Sequence, residues 1–154
     1  MDTERLNEFV VKAKAATYVG DGQRADPSRP GAHDMVFEEG EWTYRDSYFG
    51  GHDFIGEEVV FLSRKPVWAM NYYGRILSSG LIAPHQAGEV IKTSLSQLYA
   101  EGRFLGGFKR THNQFSYTDT NQGDVTSFHG RETIARDGVV VYELLYHGGL
   151  IKEG

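Results

Sequence analysis

From Met35 to Ile76 the chain is a series of short runs dominated by Val, Phe, Tyr and Trp. β-Branched and aromatic side chains suit a pleated, half-buried surface, and connectors this short join antiparallel neighbours. "MVFEE" and "EWTYRDSYF" flank Gly40, and "EEVVFLSRKPVWAMNYYG" reads as a hairpin turning at Ser63–Pro66. Three further strands are predicted at Phe108–Tyr117, Asp124–Ala135 and Val139–His147, the last two joined by Arg136-Asp137-Gly138. Two amphipathic segments complete the pattern. Residues 3–18 place Leu6, Phe9, Val10, Ala13 and Ala16 on one helical face, and Pro84–Glu101 does the same with Val90, Ile91, Leu95, Leu98 and Tyr99. The expected fold is α+β, a single curved antiparallel sheet of about five to seven strands with two helices packed on one face. One domain spans 1–154, with the polar run 20–34 as a long loop inside it. No internal repeat is expected.

Composition removes several classes of function. The net charge is −5 and the basic residues are scattered, so direct binding of nucleic acid is not expected. Without Cys there are no disulfides, thiolate metal sites or Cys nucleophiles. No stretch approaches the roughly 20 apolar residues of a membrane span, and "MDTERLNEFVVKAK" lacks the apolar core of a signal peptide. A cytoplasmic protein is expected. Gly is abundant, 19 of 154 residues, which implies many turns and close backbone approaches.

Strand parity sorts the polar residues. In the last hairpin, a two-residue turn at Asp137-Gly138 would set Glu132 opposite Glu143, like charges that repel. A three-residue turn pairs Ile134 with Val140, Glu132 with Tyr142 and Arg131 with Glu143, and is preferred. Glu132 then stands as the lone acid on a face of Phe128, Ile134, Val140, Tyr142, Leu144 and Tyr146. The middle hairpin is predicted to pair Glu57 with Tyr72, placing Glu57 on the aromatic face and Glu58 on the aliphatic one. In "WTYRDSYF", Trp42, Tyr44, Asp46 and Tyr48 share one face, with Arg45 on the other. A carboxylate on an apolar face must be paired or protonated. Tyr44, Asp46, Tyr48, Glu57, Tyr72, Glu132 and Tyr142 are therefore the candidate ligand-binding residues, an aromatic wall over an acidic floor.

Other chemistry is sparse. His129 and Glu132 point to opposite sides of a strand, so no metal site is expected. His147, before Gly148-Gly149, is a candidate general base. No nucleophile elbow, Walker or Rossmann pattern occurs, catalytic residues remain unknown, and no cofactor is expected.

"YRDSYFGGHDFIGEEVVF", "KPVWAMNYYGRI", "FHGRETI" and "VYELLYHGGLI" together resemble the bacterial family called domain of unknown function 5680. Matching positions run from Arg45, Asp46 and Tyr48–Gly51 through Glu57, Glu58, Trp68 and Asn71–Gly74 to Glu132, Tyr142 and His147–Gly149. Such domains often follow an XRE-type helix-turn-helix in transcriptional regulators, which implies a ligand sensor or an oligomerisation module. Only one helix precedes the sheet in this sequence, so a stand-alone domain without the DNA-binding part is expected. The resemblance carries no catalytic assignment. The expected function is a small-molecule-binding or sensor module, with two alternatives: a hydrolase-like enzyme using carboxylate or Tyr/His acid–base chemistry, and a homodimerising or partner-binding module.

Overall fold

The computed structural model describes residues 1–20 and 22–154, with the side chain of Val19 outside the description. Helix α1 (Thr3–Lys14) is capped by Asp2, whose carboxylate accepts from the Arg5 amide at 3.1 Å. It continues as a π-helical stretch, Ala15–Val19. Helix α2 (Pro84–Ala100) starts with Pro in its first turn, and Gln86 reaches back to the Ala83 amide at 2.8 Å.

Nine strands form one antiparallel sheet: β1 (Gln23–Ala25), β2 (His33–Glu39), β3 (Trp42–Gly50), β4 (Phe54–Leu62), β5 (Lys65–Ile76), β6 (Phe108–His112), β7 (Phe115–Asp124), β8 (Ser127–Arg136) and β9 (Val139–Leu150). Their order is β1-β2-β3-β4-β5-β9-β8-β7-β6, so the sheet does not close on itself. The α+β class and the antiparallel sheet match the sequence reading, but the strand count exceeds it. The run 20–34 is not all loop: β1 lies within it, and β2 starts at His33. Asp21, also in that run, is outside the described residues.

Both predicted hairpin registers need correction. Ser63 (φ 49°) and Arg64 (φ 68°) make a two-residue turn with two left-handed residues, the geometry that matches strand twist. Neither residue type announces such a turn. The extra residue, Val67, is taken up in a bulge, so Glu58 pairs with Met70 and Glu57 with Asn71. That reverses the two glutamates: Glu58 points inward and Glu57 outward. In the last hairpin, Asp137 (φ 49°) and Gly138 (φ 77°) also make a two-residue turn, with a bulge at Val141. Glu132 therefore opposes Leu144, while Glu143 opposes Thr133. The bulge removes the like-charge clash on which that turn had been rejected. The true register differs from the predicted one by two residues, so parity survives and Glu132 keeps its inward face. Val140, predicted on that face, is exposed.

The two bulged hairpins reveal an internal repeat that the sequence reading missed. Tyr44-x-Asp46 on β3 corresponds to Tyr117-x-Asp119 on β7, Gly56-x-Glu58 on β4 to Gly130-x-Glu132 on β8, and Tyr72-x-Gly74 on β5 to Tyr146-x-Gly148 on β9. Pairings match too: Asp46 with Glu58 and Asp119 with Glu132, Gly56 with Tyr72 and Gly130 with Tyr146. A Cβ on Gly56 would strike the Tyr72 ring, and one on Gly130 the Tyr146 ring. Each glycine makes room for a tyrosine lying across its strand. The halves meet along β5 and β9, where Tyr72 faces Tyr146 and the register Trp68↔Leu150 is mirrored by Ile76↔Tyr142. The molecule is thus a pseudo-twofold repeat of one helix and one four-stranded antiparallel meander, β2-β3-β4-β5 matching β6-β7-β8-β9, with β1 added at one edge.

Candidate functional site

Inward side chains of the meanders and residues of both helices line one cavity on the pseudo-twofold. The volume open to the centre of a water-sized sphere is about 60 Å³, room for roughly four waters. Its walls contain four carboxylates, Asp46, Glu58, Asp119 and Glu132, and one cation, Lys14. Tyr18, Tyr72, Tyr99, Tyr146 and Phe104 supply the aromatic surface, with Met70, Leu95 and Leu144 completing it.

Each carboxylate accepts from a tyrosine on another strand. In the first half, Tyr44 donates to Glu58, and Tyr72 to Asp46 at 2.6 Å. In the second, Tyr117 donates to Glu132, and Tyr146 to Asp119 at 2.6 Å. Asn121 donates to the Tyr146 oxygen at 3.0 Å. Lys14 Nζ lies 2.8 Å from both Glu58 oxygens and 3.3 Å from Met70 Sδ. Lys14 is the last residue of α1 before the π-helical stretch, which carries Tyr18. Such stretches recur where a helix must aim side chains at a site.

The electrostatics follow from burial. Asp46 and Glu132 are 6% and 7% exposed. Burial, then the neighbouring Glu58 charge, pushes the Asp46 carboxyl up to about 7. Burial, then the Asp119 charge, does the same for Glu132, also to about 7. Asp119 is raised as well, chiefly by burial. Tyrosine hydrogen bonds oppose these shifts without cancelling them. Tyr18 is 38% exposed as a residue, yet its hydroxyl is raised by desolvation and by Glu132, Asp46 and Glu58. Its ring is partly exposed to solvent and lines both the acid-containing cavity and the depression beside it.

Two depressions adjoin the cavity. One shares Tyr18, Asp46 and Tyr72 with it and continues past Tyr48, Gly50 and Phe54. The other shares Asp119 and continues past Asn121 and Gly123 to Arg103 and Lys109. They occupy matched positions of the repeat, since Asp46, Tyr48 and Gly50 correspond to Asp119, Asn121 and Gly123.

The sequence-derived site residues divide accordingly. Asp46, Tyr72 and Glu132 line the cavity. Tyr44 stands behind the wall and holds Glu58, and Tyr48 lines the depression outside Asp46. Tyr142 is buried on the same face, its hydroxyl without a partner among the described residues, but it is not part of the cavity wall. Glu57 is a correction: the one-residue register change puts it on the outer face, exposed, with Glu58 in its place. His147 is exposed on the outer face beside His129, away from the acids. Lys14, Tyr18, Glu58, Tyr99, Asp119 and Tyr146 were missed as site residues. The duplicated Tyr-x-Asp and Gly-x-Glu patterns were the available signal for the acids. Nothing in the sequence marks Lys14 as inward, because the helical apolar stripe runs beside it.

No described helix is long and apolar enough to cross a membrane, and no cluster of His, Asp and Glu among the described residues has the arrangement of a metal site. Residues 46–151 match the family model described as Domain of unknown function (DUF5680). No curated protein and no solved structure matches the chain.

Proposed function

The chain belongs to the DUF5680 family, and we propose that it is a small-molecule-binding module whose ligand occupies the cavity between helices and sheet. The observation that carries this reading is the imbalance of the cavity: four inward carboxylates and one cation within aromatic walls. A buried core selected only for stability would match its charges or replace them with apolar groups. A pocket for a polar ligand instead keeps convergent polar groups in an apolar setting, with protonation near neutrality. The two adjoining depressions offer routes to it.

The test is a thermal-shift screen of a metabolite library against the wild type, Glu132→Gln and Glu57→Gln. The expected result is a compound that raises Tm in the wild type and in Glu57→Gln but not in Glu132→Gln. Compounds that shift all three proteins alike would place binding elsewhere and defeat the assignment.

A further inference from the structure

The cavity is built twice from one pattern, and the copies differ at one position that changes their charge. Glu58 and Glu132, Met70 and Leu144, and Tyr18 and Tyr99 are matched, and all line the wall. Four residues before the cavity tyrosine, α1 carries Lys14 and α2 carries Leu95. The helices correspond throughout: Leu6, Phe9, Val10 and Ala13 are buried at the same spacing as Ala87, Val90, Ile91 and Ser94.

In the first half the protein shows how this motif holds an alkylammonium. Lys14 Nζ sits 2.8 Å from both oxygens of Glu58, against Met70 Sδ, with the Phe104 ring centroid 5.5 Å away. In the second half Glu132 occupies the same strand position and Leu144 that of Met70, but the helix supplies a leucine. Among the described residues Glu132 accepts only from Tyr117. Arg103 does not fill the gap, because its guanidinium is committed to Glu101 and to the carbonyls of Leu105 and Gly107. Tyr99, 9% exposed, also lines the cavity and makes no hydrogen bond through its hydroxyl among the described residues, while the fully buried unpartnered hydroxyls are those of Ser94 and Tyr142.

We propose that the cavity takes a primary alkylammonium ligand, its nitrogen seated against Glu132 as Lys14 Nζ is seated against Glu58. This rests on the cavity being a binding site and adds the chemistry of its occupant. Three N–H donors suit the carboxylates of Glu132 and Asp119 and the Tyr99 oxygen, and Leu95 and Leu144 flank the alkyl chain. The route in passes Tyr18 and Asp46, where the depression has no basic residue among the described ones. The other depression carries Arg103 and Lys109 and repels a cation.

The probe is n-butylammonium, titrated calorimetrically into the full chain at pH 8, with butyrate and n-butanol as controls. The wild type binds the ammonium and neither control. Leu95→Lys places a tethered ammonium in the vacant position and weakens the probe by about 30-fold or more, with an unchanged or higher Tm. Glu57→Gln, a charge change on the outer face, keeps binding. Glu132→Gln weakens the probe as Leu95→Lys does, and it decides the matter if Leu95→Lys does not fold. Unchanged affinity in folded Leu95→Lys, or n-butanol binding as well as the ammonium, overturns the proposal. A silent probe alongside a library compound whose binding is lost in Glu132→Gln would leave the site standing and the ligand class wrong. Silence from the probe and the whole library removes both.

Discussion

Strand β3 carries buried acid chemistry on both faces, and the two sides have opposite character. On the outer face Asp34, 4% exposed, is held by Arg45 Nε at 2.7 Å, Ser47 Oγ at 3.1 Å and the Ser28 amide at 3.2 Å. Those hydrogen bonds, led by Arg45, outweigh desolvation and hold its carboxyl below the usual range. On the inner face Asp46, 6% exposed, has Tyr72 as its direct partner and Glu58 as a neighbouring charge, and it is pushed up. Both residues are nearly covered, but the Asp34 carboxylate lies nearer the surface and has the larger supply of donors. Asp34 is a finished structural joint between β2 and β3, whereas the inner acids are left short of cations, as a site awaiting a ligand would be.

The largest expected effect breaks the inner side of this comparison. Lys14 and Glu58 have side chains 8% and 5% exposed, and removing one partner strands a charge in the core. Lys14→Met should cost about 3–5 kcal/mol in urea unfolding at pH 8. Lys14→Met/Glu58→Gln should recover most of the loss, because the double variant no longer strands the Glu58 charge. A single-variant cost below about 1 kcal/mol would show that water already reaches the pair and that the cavity is not dry.

The outer joint should respond less. The Arg45 side chain is 34% exposed, so solvent partly replaces it when it is removed. Arg45→Met should cost about 2 kcal/mol and bring the Asp34 carboxyl back toward its ordinary range, measured by NMR titration. If Arg45→Met destabilised more than Lys14→Met, the contrast between a closed joint and an underfilled cavity would be reversed.

How much of this was legible in the sequence depends on whether parity or register was needed. Glu132 was placed correctly by a wrong register, because an error of two residues preserves the face. Glu57 was misplaced by an error of one. The cause is physical: Ser63 and Arg64 adopt left-handed conformations that neither residue type signals, and the bulge at Val67 follows from that turn. Strands, helices and the inward tyrosines were readable because periodicity reports them. The repeat was not, because its shared residues are small sets such as Tyr-x-Asp and Gly-x-Glu in differing context, and they converge only after the strands pair. Lys14 was unreadable for another reason, since a helical lysine beside an apolar stripe normally reaches water.

The smallest expected effect sharpens the comparison by pH. Glu132 and Asp46 stand near 7 in the folded protein, well above their ordinary 4.5 and 3.8. Between those values the folded state holds protons that the unfolded chain releases, so these groups favour folding at low pH. Their contribution is lost as pH rises toward 7 and is flat beyond it. Asp34, held low, acts in the opposite sense and only at more acidic pH. Unfolding free energy should therefore fall between pH 5.5 and 7.5, by roughly 2 kcal/mol for each of the two inner groups at most. Glu132→Gln keeps an acceptor for Tyr117 but has no proton to lose. Its stability should match the wild type only below about pH 4.5, already exceed it at pH 5.5, exceed it further at pH 7.5, and show about half the slope. Parallel curves for the two proteins would mean that Glu132 does not titrate in this window, and the inner face would then be as closed as the Asp34 joint.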